Sequence, residues 1–283
     1  MPRKVFISFL GTTNYTQIHY HIDGIKSAPV RFVQEVLTDA ICKNWGNNDK
    51  ILIFYTDESY RKNWENNGQE KIENEIERIG LKSILQKKPY ASLVEGVKIE
   101  DGFSEEEIWA IFNMVYGQLQ EGDEIYFDVS HAFRSIPMFS TVLFNFSQFM
   151  KNTTLKSVHY GAFEKLGPAY KVKRMPLEER IAPIINLTGL INLQDLTQVA
   201  NGFVEYGKIG KVGDILNTSV FPQKLSQTVE RLKQTIEKLD GYILTNRLKE
   251  IREAKFVKEI NEPINKLLKS EELRTAEVEI LNK

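Results

Sequence analysis

A chain of 283 residues with 37 basic and 38 acidic side chains, 42% apolar and 27% charged residues, is a normal globular mixture, long enough for one large or two ordinary domains. Its net charge of -1 creates no global field toward nucleic acid or an anionic membrane, which argues against a long duplex as partner and leaves any anion site to be local. The single cysteine, Cys42, excludes an intramolecular disulfide and a thiolate metal cage and fits a reducing compartment. With no signal-peptide pattern and no apolar run of about 18 residues, the expectation is a soluble cytoplasmic protein.

In chain order, Val5 to Leu10 and Lys50 to Thr56 are apolar runs stopped by Gly11 and Asp57, as buried parallel strands are. Between them Pro29 to Trp45 has helical spacing (Val30, Val33, Val36, Leu37, Ala40, Ile41), which makes a βαβ unit. A second helix is expected from about Glu70 to Leu85, then a strand near Ser92 to Ile99. Ser104 with Glu107 three residues on is a capping-box signature and opens another helix. Glu124 to Asp128 reads as a central strand, and Met138 to Met150 as an apolar helix. Leu155 to Phe163 and Tyr170 to Arg174 are then expected as strands turned at Gly167-Pro168.

The fold class is therefore α/β: a Rossmann-like, mostly parallel sheet over residues 1–182, followed by a smaller all-helical segment over 183–283. In that second half Leu225, Val229, Leu232, Ile236 and Leu239 form an apolar stripe expected to pack on a neighbour, and Gly241 and Pro263 interrupt the helical pattern. Arg247, Lys249, Arg252, Lys255 and Lys258 are interspersed with Glu250, Glu253 and Glu259, as on a solvated salt-bridged helix rather than a DNA-reading face.

Two segments concentrate polar chemistry at strand ends. Gly11, Thr12, Thr13, Asn14 and Tyr15 follow the first strand; the glycine permits a tight turn, and the hydroxyls and amide can donate to a phosphate or a base edge. No GxGxxG or GxxxxGK[ST] pattern occurs, and Thr16 to Tyr20 read as extended, so this loop is not a pyrophosphate cradle. The second segment, Asp128 to Pro137, ends a strand and begins a helix. Ser135 is a plausible N-cap, Pro137 suits the first turn, and Arg134 adds a full charge beside free backbone amides, with His131 and Ser130 as further donors. The plain alternatives are an ordinary βα loop for Gly11 to Tyr15, a carboxylate bonded to turn amides for Asp128 and a satisfied strand-end histidine for His131. Asp57, Glu58, Ser59 and Trp64 are weaker candidates. His19 and His21 lack further ligands at metal spacing, so neither a metal nor a cofactor is expected.

Together, Ile7-Ser-Phe-Leu-Gly-Thr-Thr-Asn-Tyr15 and Asp128-Val-Ser-His-Ala-Phe-Arg-Ser-Ile-Pro137 resemble the CARF (CRISPR-associated Rossmann fold) family. The likeness is to the branch whose second motif reads Asp-Val-Thr-His-Gly-Phe-Arg-Ser, and it covers about residues 3–180. Thr13 stands where this branch usually has Gly, and Ser130 and Ala132 replace its Thr and Gly. The resemblance implies a homodimeric sensor of cyclic oligoadenylate, with cyclic tetra-adenylate as the expected ring, in type III CRISPR antiviral defence. It implies that Gly11 to Tyr15 hold ribose or adenine, and that the ligand-binding set also includes Asp128, Ser130, His131, Ala132, Phe133, Arg134 and Ser135.

Some relatives in this branch cleave the ring without metal; others carry a helical HEPN ribonuclease with an Arg-x4-6-His motif. Here His19, His21, His131 and His159 all precede the helical half, so that motif is absent. The expectation is the sensory part of a linked effector. The alternatives are a stand-alone ring nuclease, an unrelated nucleotide-dependent enzyme, which the missing glycine fingerprint disfavours, and last a transcription regulator.

Overall fold

The computed structural model describes residues 2–69, 77–131, 136–206, 225–245 and 256–269. It divides into two compact units, residues 1–187 and 188–283. In the first, strands β1 (Lys4–Leu10), β2 (His19–Ile22), β3 (Ile25–Lys26), β4 (Lys50–Tyr55), β5 (Val94–Lys98), β6 (Glu124–Asp128), β7 (Thr154–Gly161) and β8 (Ile181–Asn186) form one sheet in the order β3-β2-β8-β7-β6-β1-β4-β5.

β1, β4, β5, β6 and β7 run parallel, and β1 lies between β4 and β6. The chain builds outward from β1 through β4 to β5, then returns to the other side of β1 for β6 and β7. That reversal leaves a crevice at the carboxyl ends of β1 and β6, where ligands bind in open α/β sheets.

Both faces of the sheet are covered, which explains why β1 is apolar almost throughout. On one face Phe6, Leu10, Ile51 and Ile53 pack with Val33 and Leu37 of α1 (Val33–Ile41) and Leu81 and Leu85 of the short helix Leu81–Leu85. On the other, Phe9 packs against Phe54 and Phe127, and Phe127 against Phe144, with ring centroids 5.0 to 6.3 Å apart. Phe144 belongs to Ile136–Lys151, and its neighbour helix Glu105–Gln118 begins at Ser104, whose hydroxyl accepts from Glu107 N at 3.2 Å. The Glu107 carboxylate reaches back to Phe103 N instead of Ser104 N.

Three expectations are corrected. The helix expected from Glu70 to Leu85 is only Leu81–Leu85 among the described residues; 77–80 is not helical, and 70–76 lies outside them. A Cβ on Gly80 would meet Trp64 O at 2.3 Å, a close approach that suits this turn to glycine. The strand expected over Tyr170 to Arg174 is the helical turn Ala169–Val172, with Pro168 at its N-cap and Val172 buried. The strand beside β7 is instead β8, antiparallel to β7 and parallel to β2. The helix expected from Pro29 to Trp45 is shorter because Val30 is drawn into a bridge with Ile18.

In the second unit, the stripe Leu225, Val229, Leu232 and Ile236 packs against Leu267, with Leu239, Ile260 and Ile264 around it. It is thus covered by the chain's own helix Phe256–Leu268. Gly241 and Pro263 lie inside helices Ser226–Leu244 and Phe256–Leu268. Arg247, Lys249, Arg252 and Lys255 fall outside the described residues. No described helix is long and apolar enough to cross a membrane.

Candidate functional site

The two sequence motifs meet at the sheet's reversal point. Ser8 of β1 stands opposite Asp128 of β6 in the parallel register, so the segments after Leu10 and Asp128 leave adjacent strand ends. The rings of Tyr15 and His131 are 4.4 Å apart, and a Cβ on Gly11 would lie 2.5 Å from the Tyr15 hydroxyl and 3.7 Å from His131 Cβ. Gly11 thus suits the close approach of Tyr15, whose hydroxyl would have to shift for any other residue.

The β6 turn is stabilised by its own side chains. Asp128 is 1% exposed; its Oδ1 accepts from Ser130 N at 2.9 Å and Ser130 Oγ at 2.5 Å, and its Oδ2 accepts from Ser8 Oγ at 2.7 Å. Ser130 Oγ also accepts from Gly161 N at 2.7 Å. A buried carboxylate with three donors is well compensated, and here it ties β1, β6 and β7 together at the site. His131 has its pKa lowered by burial, which outweighs the opposing pull of Asp128 and Glu164, so the ring is neutral near neutral pH. Its Nε2 is buried without a partner among the described residues. It is not the satisfied histidine of the plain alternative. Ala132, Phe133, Arg134 and Ser135 lie outside the described residues.

The β1 loop is held from a distance by residues that the sequence reading did not single out. Asn63 Nδ2 donates to Gly11 O at 2.8 Å and Thr13 O at 3.0 Å, and Gln69 Nε2 to Thr12 O at 3.0 Å. Arg78, 2% exposed, donates to Asn14 Oδ1 at 2.6 Å and Tyr15 O at 2.8 Å. Nothing in the local pattern of residues 57–80 announces this role, because the bonds cross from one βα connection to another.

Beside the loop lies a pocket of about 120 Å³, lined in part by Asn14, Tyr15, Thr16, Arg31, His131 and Glu164. Thr16 is 3% exposed, and its hydroxyl has no partner among the described residues. Burial raises the pKa of Tyr15 and Tyr20 well above the usual phenol range, so both hydroxyls stay protonated donors. Donors, a neutral imidazole and aromatic walls suit an acceptor-rich ligand carrying a flat ring.

The weaker candidates have structural work. Ser59 Oγ accepts from Thr56 N and donates to Thr56 O, Asp57 pairs with Lys98 at 2.8 Å, and Glu58 pairs with Lys62. Trp64 is 4% exposed and packs on Tyr55. His19 Nδ1 lies 2.7 Å from Ser27 O.

A Rossmann-like domain with its polar site at the reversal between β1 and β6 defines a ligand-binding domain in outline. The family model described as "CRISPR system endoribonuclease Csx1, CARF domain" matches residues 5–164, more than half of the chain, and the chain belongs to that CARF family. A curated relative, CRISPR-associated protein MJ1674 of Methanocaldococcus jannaschii, is 28% identical over 158 residues. The aligned part is 55% of this chain and 22% of that relative, so the chain spans under a quarter of the relative's length. Membership in this family gives the chain a CRISPR-associated, ligand-sensing role.

Proposed function

We propose that this chain is a homodimeric sensor of cyclic oligoadenylate, with cyclic tetra-adenylate as its ring, in type III CRISPR defence, and that ligand binding controls a linked effector. The observation that carries this reading is the meeting of Gly11–Tyr15 and Asp128–His131 at one crevice of a CARF domain. In this reading Asp128 and Ser130 hold the turn, and Arg134 and Ser135 would hold phosphates, as the family resemblance implies. The β1 loop and its pocket receive ribose and base.

Symmetry and surface chemistry support the dimer in this reading. A ring of four identical nucleotides can be two-fold symmetric, so two copies of one strand-end site can each engage half of it. Helix Ile136–Lys151 leaves this edge of the sheet with Met138 79%, Val142 54% and Phe149 82% exposed, a stripe at helical spacing. Light scattering is expected to give twice the chain's mass at micromolar concentration and a monomer for Phe149→Glu; a monomeric parent protein would remove the shared site.

The function itself is tested by incubating the protein with cyclic tri-, tetra- and hexa-adenylate and measuring binding and linear products together. Binding without products is the sensor outcome. Binding with linear products makes the chain a ring nuclease, and no binding of any ring ends the proposal.

A further inference from the structure

Four backbone carbonyls of the β1 loop accept from side chains of the segment after β4. Gly11 O and Thr13 O accept from Asn63, Thr12 O from Gln69, and Tyr15 O from Arg78. Gln17 O accepts from Arg180 at 3.3 Å. The amides of Thr12 to Gln17, by contrast, donate to no backbone or side-chain acceptor among the described residues. Amides left without an internal acceptor are available as donors to a ligand. A second observation points to a ligand at the same place: the Thr16 hydroxyl and His131 Nε2 are buried, unpartnered and line the adjoining pocket.

We infer that Asn63, Gln69 and Arg78 act as a clamp that takes the loop's carbonyls and so leaves its amides to an anionic, acceptor-rich ligand group such as a phosphodiester. The inference rests on the sensor reading for the identity of the ligand, but not for the loop bonds or the unpaired amides. These three are positioning residues: each acts through the loop. Without Gln69 the Thr12 carbonyl is released and the peptide can rotate, which replaces an outward donor with an outward acceptor that repels phosphate. Arg78 holds both the Asn14 side chain and the Tyr15 carbonyl, so its loss frees the loop at the point where Tyr15 meets His131.

The test uses the full chain, labelled with nitrogen-15, and two probes: inorganic phosphate at millimolar concentration and cyclic tetra-adenylate. Both are expected to shift the amides of Thr12 to Gln17. Gln69→Leu, at a half-buried position, is expected to weaken both probes about tenfold with an unchanged melting temperature. Arg78→Met is expected to weaken them further, with partial recovery in Arg78→Lys, which keeps a cation and a donor.

Phosphate shifts without ring binding would sink the cyclic-ligand reading and leave the clamp standing. Ring binding of parental strength in both Gln69→Leu and Arg78→Met would overturn the clamp and leave the sensor. Loop amides unmoved by either probe would likewise overturn it.

Discussion

The two strand-end segments of this site are organised in opposite ways. The turn after β6 is self-supporting: Asp128 bonds Ser130 two residues on, and Ser8 and Gly161 complete it from the flanking strands. The loop after β1 is held by side chains 50 to 64 residues away in the chain, which take its carbonyls and the Asn14 side chain. A turn that supplies its own acceptors is rigid wherever the strand ends. A loop clamped from outside takes a shape that depends on another connection, so its conformation can be tuned without touching the residues that meet the ligand.

If that contrast is right, the largest effect comes from removing the acceptor on which the β6 turn depends. Asp128→Ala leaves Ser8 Oγ, Ser130 N and Ser130 Oγ without their carboxylate in a buried setting, and is expected to cost about 3 kcal/mol in urea unfolding. Asp128→Asn keeps one carbonyl acceptor and is expected to cost less. A parental midpoint for Asp128→Ala would mean that the turn is not self-supporting. Next is Arg134→Ala, which removes the one full positive charge of the second motif. It is expected to weaken cyclic tetra-adenylate binding by about 1.5 to 3 kcal/mol with stability unchanged, and titration calorimetry checks it.

The same contrast sets what the sequence made legible. β1, β4 and β6 are apolar runs stopped by Gly11, Asp57 and a polar turn, so burial is written locally in them. Asp128 as an acceptor of turn amides was legible because its partner is two residues on. Asn63, Gln69 and Arg78 were not: their partners lie in another βα connection, and the apolar spacing around Arg78 (Ile72, Ile76, Ile79) reads as helical although 77–80 is not. Tyr170 to Arg174 failed for a related reason. Four or five residues fit a strand or a helical turn equally well, and Pro168 with the buried Val172 decided for the turn.

The smallest expected effect concerns the ring that joins the two segments. Burial lowers the His131 pKa in the folded protein, against the opposing influence of Asp128 and Glu164, while the unfolded chain returns it to about 6.5. Between those two values the unfolded chain binds more protons, so the free energy of unfolding rises with pH. The stability that His131 contributes is therefore complete above about pH 6.5 and is lost as pH falls below it. His159, also lowered by burial, acts in the same direction. Urea midpoints measured from pH 7.5 down to about 5 are expected to decline in the parent and to decline less steeply in His131→Asn, with the remaining slope carried by His159. Equal slopes would mean that His131 is hydrated, and that the contact between Tyr15 and His131 does not seal the junction of the clamped loop with the self-supporting turn.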